Sequence, residues 1–62
     1  MTHSDLERFA EACERAAAVS HMFAGPPEYR TETLQQAAHD AELLRDLARA
    51  IRAWRVTVKE EQ

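Results

Sequence analysis

One short break divides the helical pattern of this chain. Gly25 is the only glycine among the 62 residues, and the only two prolines, Pro26 and Pro27, follow it directly. Glycine readily takes the left-handed conformation that ends a helix, and a proline after it prevents the helix from continuing. We therefore expect an all-α chain with a single domain over residues 1–62. A turn at residues 25–32 would join two helices into an antiparallel hairpin.

The first helix is predicted over residues 4–24. Ser4 and Glu7 form a capping-box pattern, in which the Ser4 hydroxyl accepts from the amide of Glu7 and the carboxylate reaches back. Small and apolar residues then repeat with the spacing of one helical face for about five turns. This stripe consists of Leu6, Phe9, Ala10, Cys13, Ala16, Ala17, Ser20, Phe23 and Ala24. We expect it to form the core of the hairpin, with Cys13 and Phe23 inside.

The second helix is predicted over residues 33–55. Thr33 begins another capping-box pattern with the glutamine three residues later, and Thr31 is an alternative cap. Residues 27–30 are expected to form a loop or a single turn before the helix, and a start at Pro27, in a first helical position, is the alternative. The β-branched residues at the other end have low helix propensity, so residues 56–62 are expected to be frayed or extended.

Two adjacent apolar stripes on the second helix predict self-association. The first consists of Leu34, Ala37, Ala38, Ala41, Leu44, Ala48 and Ile51, and the second of Leu43, Leu47, Ala50, Trp54 and Val58. Together they cover about half of the helix circumference, which is more than one partner helix can cover. We expect a homo-oligomer, most simply a dimeric four-helix bundle, with a larger ring as the alternative. The expected interface residues are Leu43, Leu47, Ile51 and Trp54.

Composition and one helical segment indicate a bacterial or phage origin, and they point to no functional residue. Residues 34–52 read LQQAAHDAELLRDLARAIR, and this segment resembles the helices of small phage and prophage proteins. The expected dimer of hairpins is similar in architecture to the plasmid copy-control proteins of the Rop type. These resemblances imply a helical bundle and no site residue. The predominance of alanine, and of arginine over lysine, is typical of GC-rich genomes, so we expect a bacterial or phage protein.

Charge is unevenly distributed along the chain, whose net charge is −3. Residues 1–44 hold three basic and eight acidic residues, whereas residues 45–62 hold five basic and three acidic residues. Arg45, Arg49 and Arg52 follow helical spacing away from the apolar stripes, and a dimer would present them twice to RNA or DNA phosphates. The alternative is a solvated face whose arginines pair with acidic residues, including those of the first helix.

Three residues around the turn have no place in a core according to helical periodicity: Met22, Tyr29 and Arg30. A flexible apolar group, a phenol and a guanidinium beside two prolines could bind a small anion such as a nucleotide, or a peptide of a partner protein. The alternative is structural. Tyr29 would then cover the end of the core, and Arg30 would pair with Glu28 or with the carbonyl end of the first helix.

Nothing in the sequence indicates catalysis. Spacing suggests no nucleophile–base pair and no phosphate-binding glycine loop, so no cofactor is expected. His39 and Glu42 share one face of a helix but lie on its polar side, so no metal site is expected. No apolar run is long enough for a membrane span and no signal peptide is recognisable, which favours the cytoplasm. We therefore expect a non-enzymatic interaction protein that binds and modulates another protein, such as a phage or mobile-element regulator or inhibitor.

Overall fold

Residues 2–57, the part of the chain that the computed structural model describes, form two long antiparallel helices joined by a short turn. Helix α1 spans His3–Ala24 and helix α2 spans Glu32–Thr57, with a single 3₁₀ turn at Pro27–Tyr29 between them. No strand occurs within the described residues. The structure confirms the predicted all-α hairpin and the expected turn ahead of its second helix.

Helix α1 begins one residue before its predicted start because Thr2, not Ser4, caps it. The Thr2 hydroxyl accepts from the amide of Asp5 at 3.1 Å, and the Asp5 carboxylate accepts from the amide of Thr2 at 3.3 Å. This reciprocal pair satisfies two amides that have no partner within the helix. The prediction of a cap by Ser4 and Glu7 is wrong, since Thr2 offers the same pattern two residues earlier and Glu7 contacts the second helix instead.

Gly25 ends helix α1 in a conformation that glycine adopts easily and other residues do not. Its φ is 69° and its ψ is −168°, and its N–H donates to the carbonyl of His21 at 3.4 Å. Arg30 reaches back across the turn, so that its Nε donates to the Gly25 carbonyl at 3.1 Å and its Nη1 to Gln35 Oε1 at 3.5 Å. The guanidinium therefore caps the C-terminal end of α1, where the helix dipole also favours a cation.

Thr31 caps helix α2, and Thr33 does not. The Thr31 hydroxyl accepts from the amide of Leu34 at 3.3 Å, and the Thr31 carbonyl accepts from the amide of Gln35 at 2.8 Å. Helix α2 consequently starts at Glu32, and Thr33 is already helical. The alternative cap named from the sequence is thus confirmed, and the predicted start at residue 33 is one residue late.

Helix α2 also runs two residues beyond its predicted end at residue 55. Val56 and Thr57 are helical, and the Thr57 hydroxyl donates to the carbonyl of Trp54 at 2.9 Å. This bond gives the Trp54 carbonyl a partner in a segment where the β-branched residues have low helix propensity. The rest of the predicted frayed tail, residues 58–62, lies outside the described residues.

Small side chains form the buried seam between the two helices. The seam consists of the residues with at most 1% exposure, namely Leu6, Ala10, Ala17, Ala24, Ala41 and Ala48. Its alanines recur at intervals of seven residues on each helix, which lines them up toward the partner helix and lets the backbones approach closely. Phe23 is 63% exposed, so its predicted place in the core of the hairpin is wrong, because α1 turns the neighbouring Ala24 toward α2 instead. Cys13 is half-buried.

Candidate interaction surface

Large apolar side chains lie outside the seam, in a line along helix α1. Phe9, Val19 and Phe23 are 52%, 67% and 63% exposed, and the small Ala12 and Ala16 between them are exposed as well. The five positions alternate in steps of three and four residues, which is the spacing of a helix face that packs on another helix. The sequence prediction placed Phe9, Ala16 and Phe23 in the core, whereas their spacing with Ala12 and Val19 is the signal for a second line.

A matching line follows the C-terminal half of helix α2. Leu43, Leu47 and Trp54 are 53%, 49% and 54% exposed, and Ala50 between them is exposed. These positions are separated by four, three and four residues, so they also share one helix face. Ile51, the fourth interface residue predicted from the sequence, is half-buried and stands apart from this line.

Ion pairs indicate that the two apolar lines lie on the same side of the hairpin. On α1, helical spacing puts Glu7 and Glu14 on one flank of the seam and the line of Phe9 on the other. On α2, Arg52 lies on one flank and the line of Trp54 on the other. Arg52 Nη2 is 2.8 Å from Glu7 Oε2, and Arg52 Nη1 is 2.6 Å from Glu14 Oε2. Because the charged flanks meet across the seam, the apolar lines share the opposite side.

We name that opposite side the apolar face. Its members are Phe9, Ala12, Ala16, Val19, Phe23, Leu43, Leu47, Ala50 and Trp54. An open groove of about 610 Å³ borders it on helix α1 and is lined by Asp5, Arg8, Phe9 and Ala12. Several exposed apolar side chains on one side of a protein are typical of a site that contacts another protein.

The apolar face is uneven along its length. In the half farther from the turn, the open half, both helices contribute large apolar groups, with Phe9 on α1 and Trp54 on α2. In the half nearer the turn, the turn half, the α2 line continues through Asp40, Gln36 and Thr33, which are exposed. The Gln36 amide donates to Asp40 Oδ1 at 3.2 Å. The turn half is therefore apolar on α1 but polar on α2.

The charged side of the hairpin carries a network centred on Arg52. Its Nε also donates to Glu7 Oε2 at 3.2 Å, and Arg55 Nη1 lies 3.4 Å from Glu7 Oε1. The hydrogen bonds from Arg52 hold the pKa of Glu7 and of Glu14 below the ordinary value of 4.5. Hydrogen bonds to Glu14 and Glu7 raise the pKa of Arg52 in turn. Because these groups are partly exposed, the network aligns the helices more than it stabilises them.

The three arginines predicted to face nucleic acid do not form one free surface. Arg52 is held by the glutamates of α1, and Arg49 pairs with Asp46 on its own helix. Arg45 is exposed and forms no ion pair within the described residues, and it lines an open groove together with Glu42, Asp46 and Arg49. Arginines paired with acidic residues were the alternative named from the sequence, and they leave little positive surface for phosphates.

The turn residues are also divided. Met22 is 79% exposed and Tyr29 is 77% exposed, so both side chains are accessible to a partner. The Arg30 guanidinium is already occupied by the Gly25 carbonyl and by Gln35. This is the structural alternative for Arg30, and an anion site built from the three turn residues would lack a free cation.

The described residues show few other candidates for chemistry. His39 Nδ1 lies 4.0 Å from Glu42 Oε2 on the exposed surface. Within residues 2–57, no group of three or more His, Cys, Asp or Glu side chains is arranged to hold a metal ion, and Cys13 is a free thiol. Neither helix, over its described length, is apolar enough to cross a membrane. Comparison with protein families, curated proteins and solved structures finds no significant match to the chain.

Proposed function

We propose that the chain is a non-enzymatic interaction protein that works as a homodimer, with two hairpins packed through their apolar faces into a four-helix bundle. One observation carries the proposal: the seam is almost wholly alanine, while six large apolar side chains on one face are about half exposed or more. Removing such side chains from water is the dominant favourable term in association. A second hairpin offers the same large side chains in return.

The area of the apolar face supports a dimer. A large side chain such as an aromatic presents on the order of 200 Å², so six of them at about half exposure leave roughly 600 Å² accessible on each hairpin. Two such faces would bury about 1,200 Å², which is the lower end of the range for stable and specific interfaces. The exposed alanines between the large residues add to this area.

The biological role that we propose is the binding and modulation of another protein, as a regulator or inhibitor of the kind that phages and mobile elements encode. A dimer formed through the apolar face leaves Met22 and Tyr29 outside the interface, each more than three-quarters exposed. We propose these two side chains as the partner contact, since a flexible thioether and a phenol beside a rigid turn suit protein recognition. No observation favours nucleic acid or an anion, because Arg52 and Arg30 are occupied within the hairpin.

Sedimentation equilibrium tests the dimer. We expect a species of twice the 7.1 kDa mass of the chain. Trp54 is the only tryptophan and lies on the apolar face, so its emission should shift to shorter wavelength as the concentration rises and the dimer forms. A helical 7.1 kDa monomer with concentration-independent Trp54 emission would overturn the proposal.

Site-specific photo-crosslinking tests the partner contact. A photoreactive amino acid is placed at Met22, at Tyr29 or, as the control, at the exposed His39 on the outer side of α2, and each dimer is irradiated in a lysate of the source cells. We expect one and the same protein to be linked through positions 22 and 29 and not through position 39. Equal yields at all three positions, or no crosslinked protein, would contradict a partner site at the turn.

A further inference from the structure

We infer that the protein bound at the turn presents a basic amphipathic segment, whose apolar side chains pack on Met22 and Tyr29 while its lysines or arginines face the carboxylates around them. The inference rests on the partner contact proposed above and adds the chemistry of that partner. Charge and exposure at the end of the hairpin that holds the turn both support it.

Charge is divided between the two ends of the hairpin. Residues 18–44, which we name the turn end, hold four acidic residues and one arginine, a net charge of −3 with the histidines counted as neutral. The remaining described residues, 2–17 and 45–57, hold five acidic and six basic residues, a net charge of +1. The turn end therefore attracts cationic groups and repels anionic ones.

Most carboxylates of the turn end have no cation from the chain itself. Glu28, Glu32 and Asp40 are exposed and form no ion pair within the described residues. Helical spacing offers none to Glu32 or Asp40, because the positions three and four residues away hold no basic residue. The one arginine, Arg30, already donates to the end of α1 and to Gln35. A partner's cations can therefore approach these carboxylates without displacing an ion pair.

The apolar side chains at the turn are also more exposed than those of the open half. Met22 and Tyr29 are more than three-quarters exposed, whereas Phe9 and Trp54 are about half exposed. A methionine adapts its shape to different apolar groups, and the ring face of a tyrosine attracts the cation of a lysine or an arginine. Methionine and aromatic side chains among carboxylates suit the apolar face of a basic amphipathic helix.

The net charge of the turn end separates the classes of partner. A nucleic acid, an anionic lipid surface or an acidic peptide would bring negative charge against a net charge of −3 and would be repelled. A neutral apolar peptide would gain only the contacts with Met22 and Tyr29, and its binding would not weaken with salt. A basic amphipathic segment gains both the apolar contacts and the attraction between charges.

Three short synthetic peptides test the chemistry of the partner with the 62-residue chain. The first has leucines on one helix face and lysines elsewhere, the second has glutamates in place of the lysines, and the third has serines in place of the leucines. Fluorescence anisotropy of the labelled peptides measures the dissociation constants. At low salt we expect the leucine–lysine peptide to bind about tenfold more tightly than the other two, and its binding to weaken as salt is added.

Two double variants with the same change in net charge locate the contact. Glu28→Gln with Glu32→Gln neutralises the carboxylates on either side of Tyr29 in the sequence, and Glu11→Gln with Asp46→Asn neutralises two exposed carboxylates outside the turn end. The first double variant should bind the leucine–lysine peptide about fivefold more weakly, and the second should bind it nearly as the wild type does. Tyr29→Ser should weaken binding as well, because it removes the ring on which the leucines pack.

The inference is overturned if the leucine–glutamate peptide binds as tightly as the leucine–lysine peptide, if the two double variants bind alike, or if no peptide binds. The photo-crosslinking at positions 22 and 29 does not depend on the charge of the partner, so it judges the partner contact separately. A protein linked there through an acidic or uncharged segment would overturn the inference and leave the contact in place.

Discussion

The seam between the helices and the apolar face differ in the size of their side chains and in their exposure. The seam buries five alanines and one leucine almost completely, whereas the apolar face leaves two phenylalanines, a tryptophan, two leucines and a valine about half exposed or more. Small residues let two helices approach closely, and large residues supply most of the area that association can remove from water. The hairpin thus uses its alanines for closeness and keeps its largest apolar groups for a partner.

This division of side chains couples folding to association. Alanine burial alone removes little apolar surface from water, and a domain of this size is only marginally stable even with a full core. Anything that binds the folded hairpin and not the unfolded chain stabilises it by mass action. We therefore expect substitutions in the apolar face to reduce folding and dimerisation together, and substitutions in the seam to disturb the hairpin itself.

The largest effect is expected from Leu47→Glu, which places a carboxylate in the middle of the apolar face. Burying a carboxylate without a partner costs about 3 kcal/mol or more, which corresponds to roughly a 100-fold weaker dimer. Sedimentation equilibrium would measure the dissociation constant, and circular dichroism would measure helix content at the same concentrations. We expect dissociation together with a loss of helix content.

Ala53→Glu is the matched control for that experiment. Ala53 is exposed on the outer side of the same helix, away from the apolar face, so a carboxylate there should leave the dimer and the helix content nearly unchanged. If Ala53→Glu weakened the dimer as much as Leu47→Glu, the interface would not be confined to the apolar face.

The next largest effect is expected from Ala17→Leu in the seam. Ala17 is 1% exposed, and three additional heavy atoms there must push the helices apart, which costs about 2 kcal/mol. Thermal unfolding of Ala17→Leu should show a lower Tm than that of Ala18→Leu, where the neighbouring alanine is exposed. Equal Tm values for the two variants would show that the helices do not pack through the alanines of the seam.

A smaller effect is expected from Gly25→Ala at the turn. No atom lies within 4 Å of the position that the added Cβ would take, so the cost comes from the φ of +69° alone. We expect a loss of about 1 kcal/mol, which corresponds to a Tm about 4–8 °C lower for a chain of this size. An unchanged Tm would mean that the turn relaxes to another conformation, and the angle between the helices would then have to change with it.

The two helices and the turn can be predicted from local features, because the break at Gly25 and the capping residues act within a few positions. Local features do not decide which of two caps forms. Thr2 and Ser4 both have an acidic residue three positions later, as the capping box needs. The structure uses the earlier one, and Glu7 is then available to Arg52. The contact that takes Glu7 away from the cap is 45 residues distant in sequence and could not be found from local pattern.

The division between seam and apolar face was harder to predict for a similar reason. Both lines on α1 have helical spacing and small or apolar residues, and the larger residues, such as Phe23, favour the wrong line as the core. Which line on α1 faces α2 depends on the buried alanines of both helices, and the pattern of one helix alone does not show how they pair. The covering of the apolar face by a second copy stays a prediction.

The smallest and most pH-dependent effect is expected from Arg52→Met on the charged side, which removes the guanidinium but keeps much of the apolar stem. At neutral pH and low salt, Tm should fall slightly, and the difference from the wild type should shrink as salt is added because the ion pairs are partly exposed. Arg45→Met, which removes an exposed arginine without an ion pair among the described residues, should change Tm less.

Acid should abolish the effect of Arg52→Met. Arg52 holds the pKa of Glu7 and Glu14 below 4.5 in the folded state, so their contribution to stability is fully present above pH 4.5. It is lost as the pH falls through the lowered values, because the unfolded chain then binds more protons than the folded one. The wild type should therefore lose more Tm than Arg52→Met between pH 6 and strong acid, and the two should converge. Parallel Tm profiles over that range would show that Arg52 does not hold these carboxylates in solution, and the alignment of the helices would then have to be attributed to the seam.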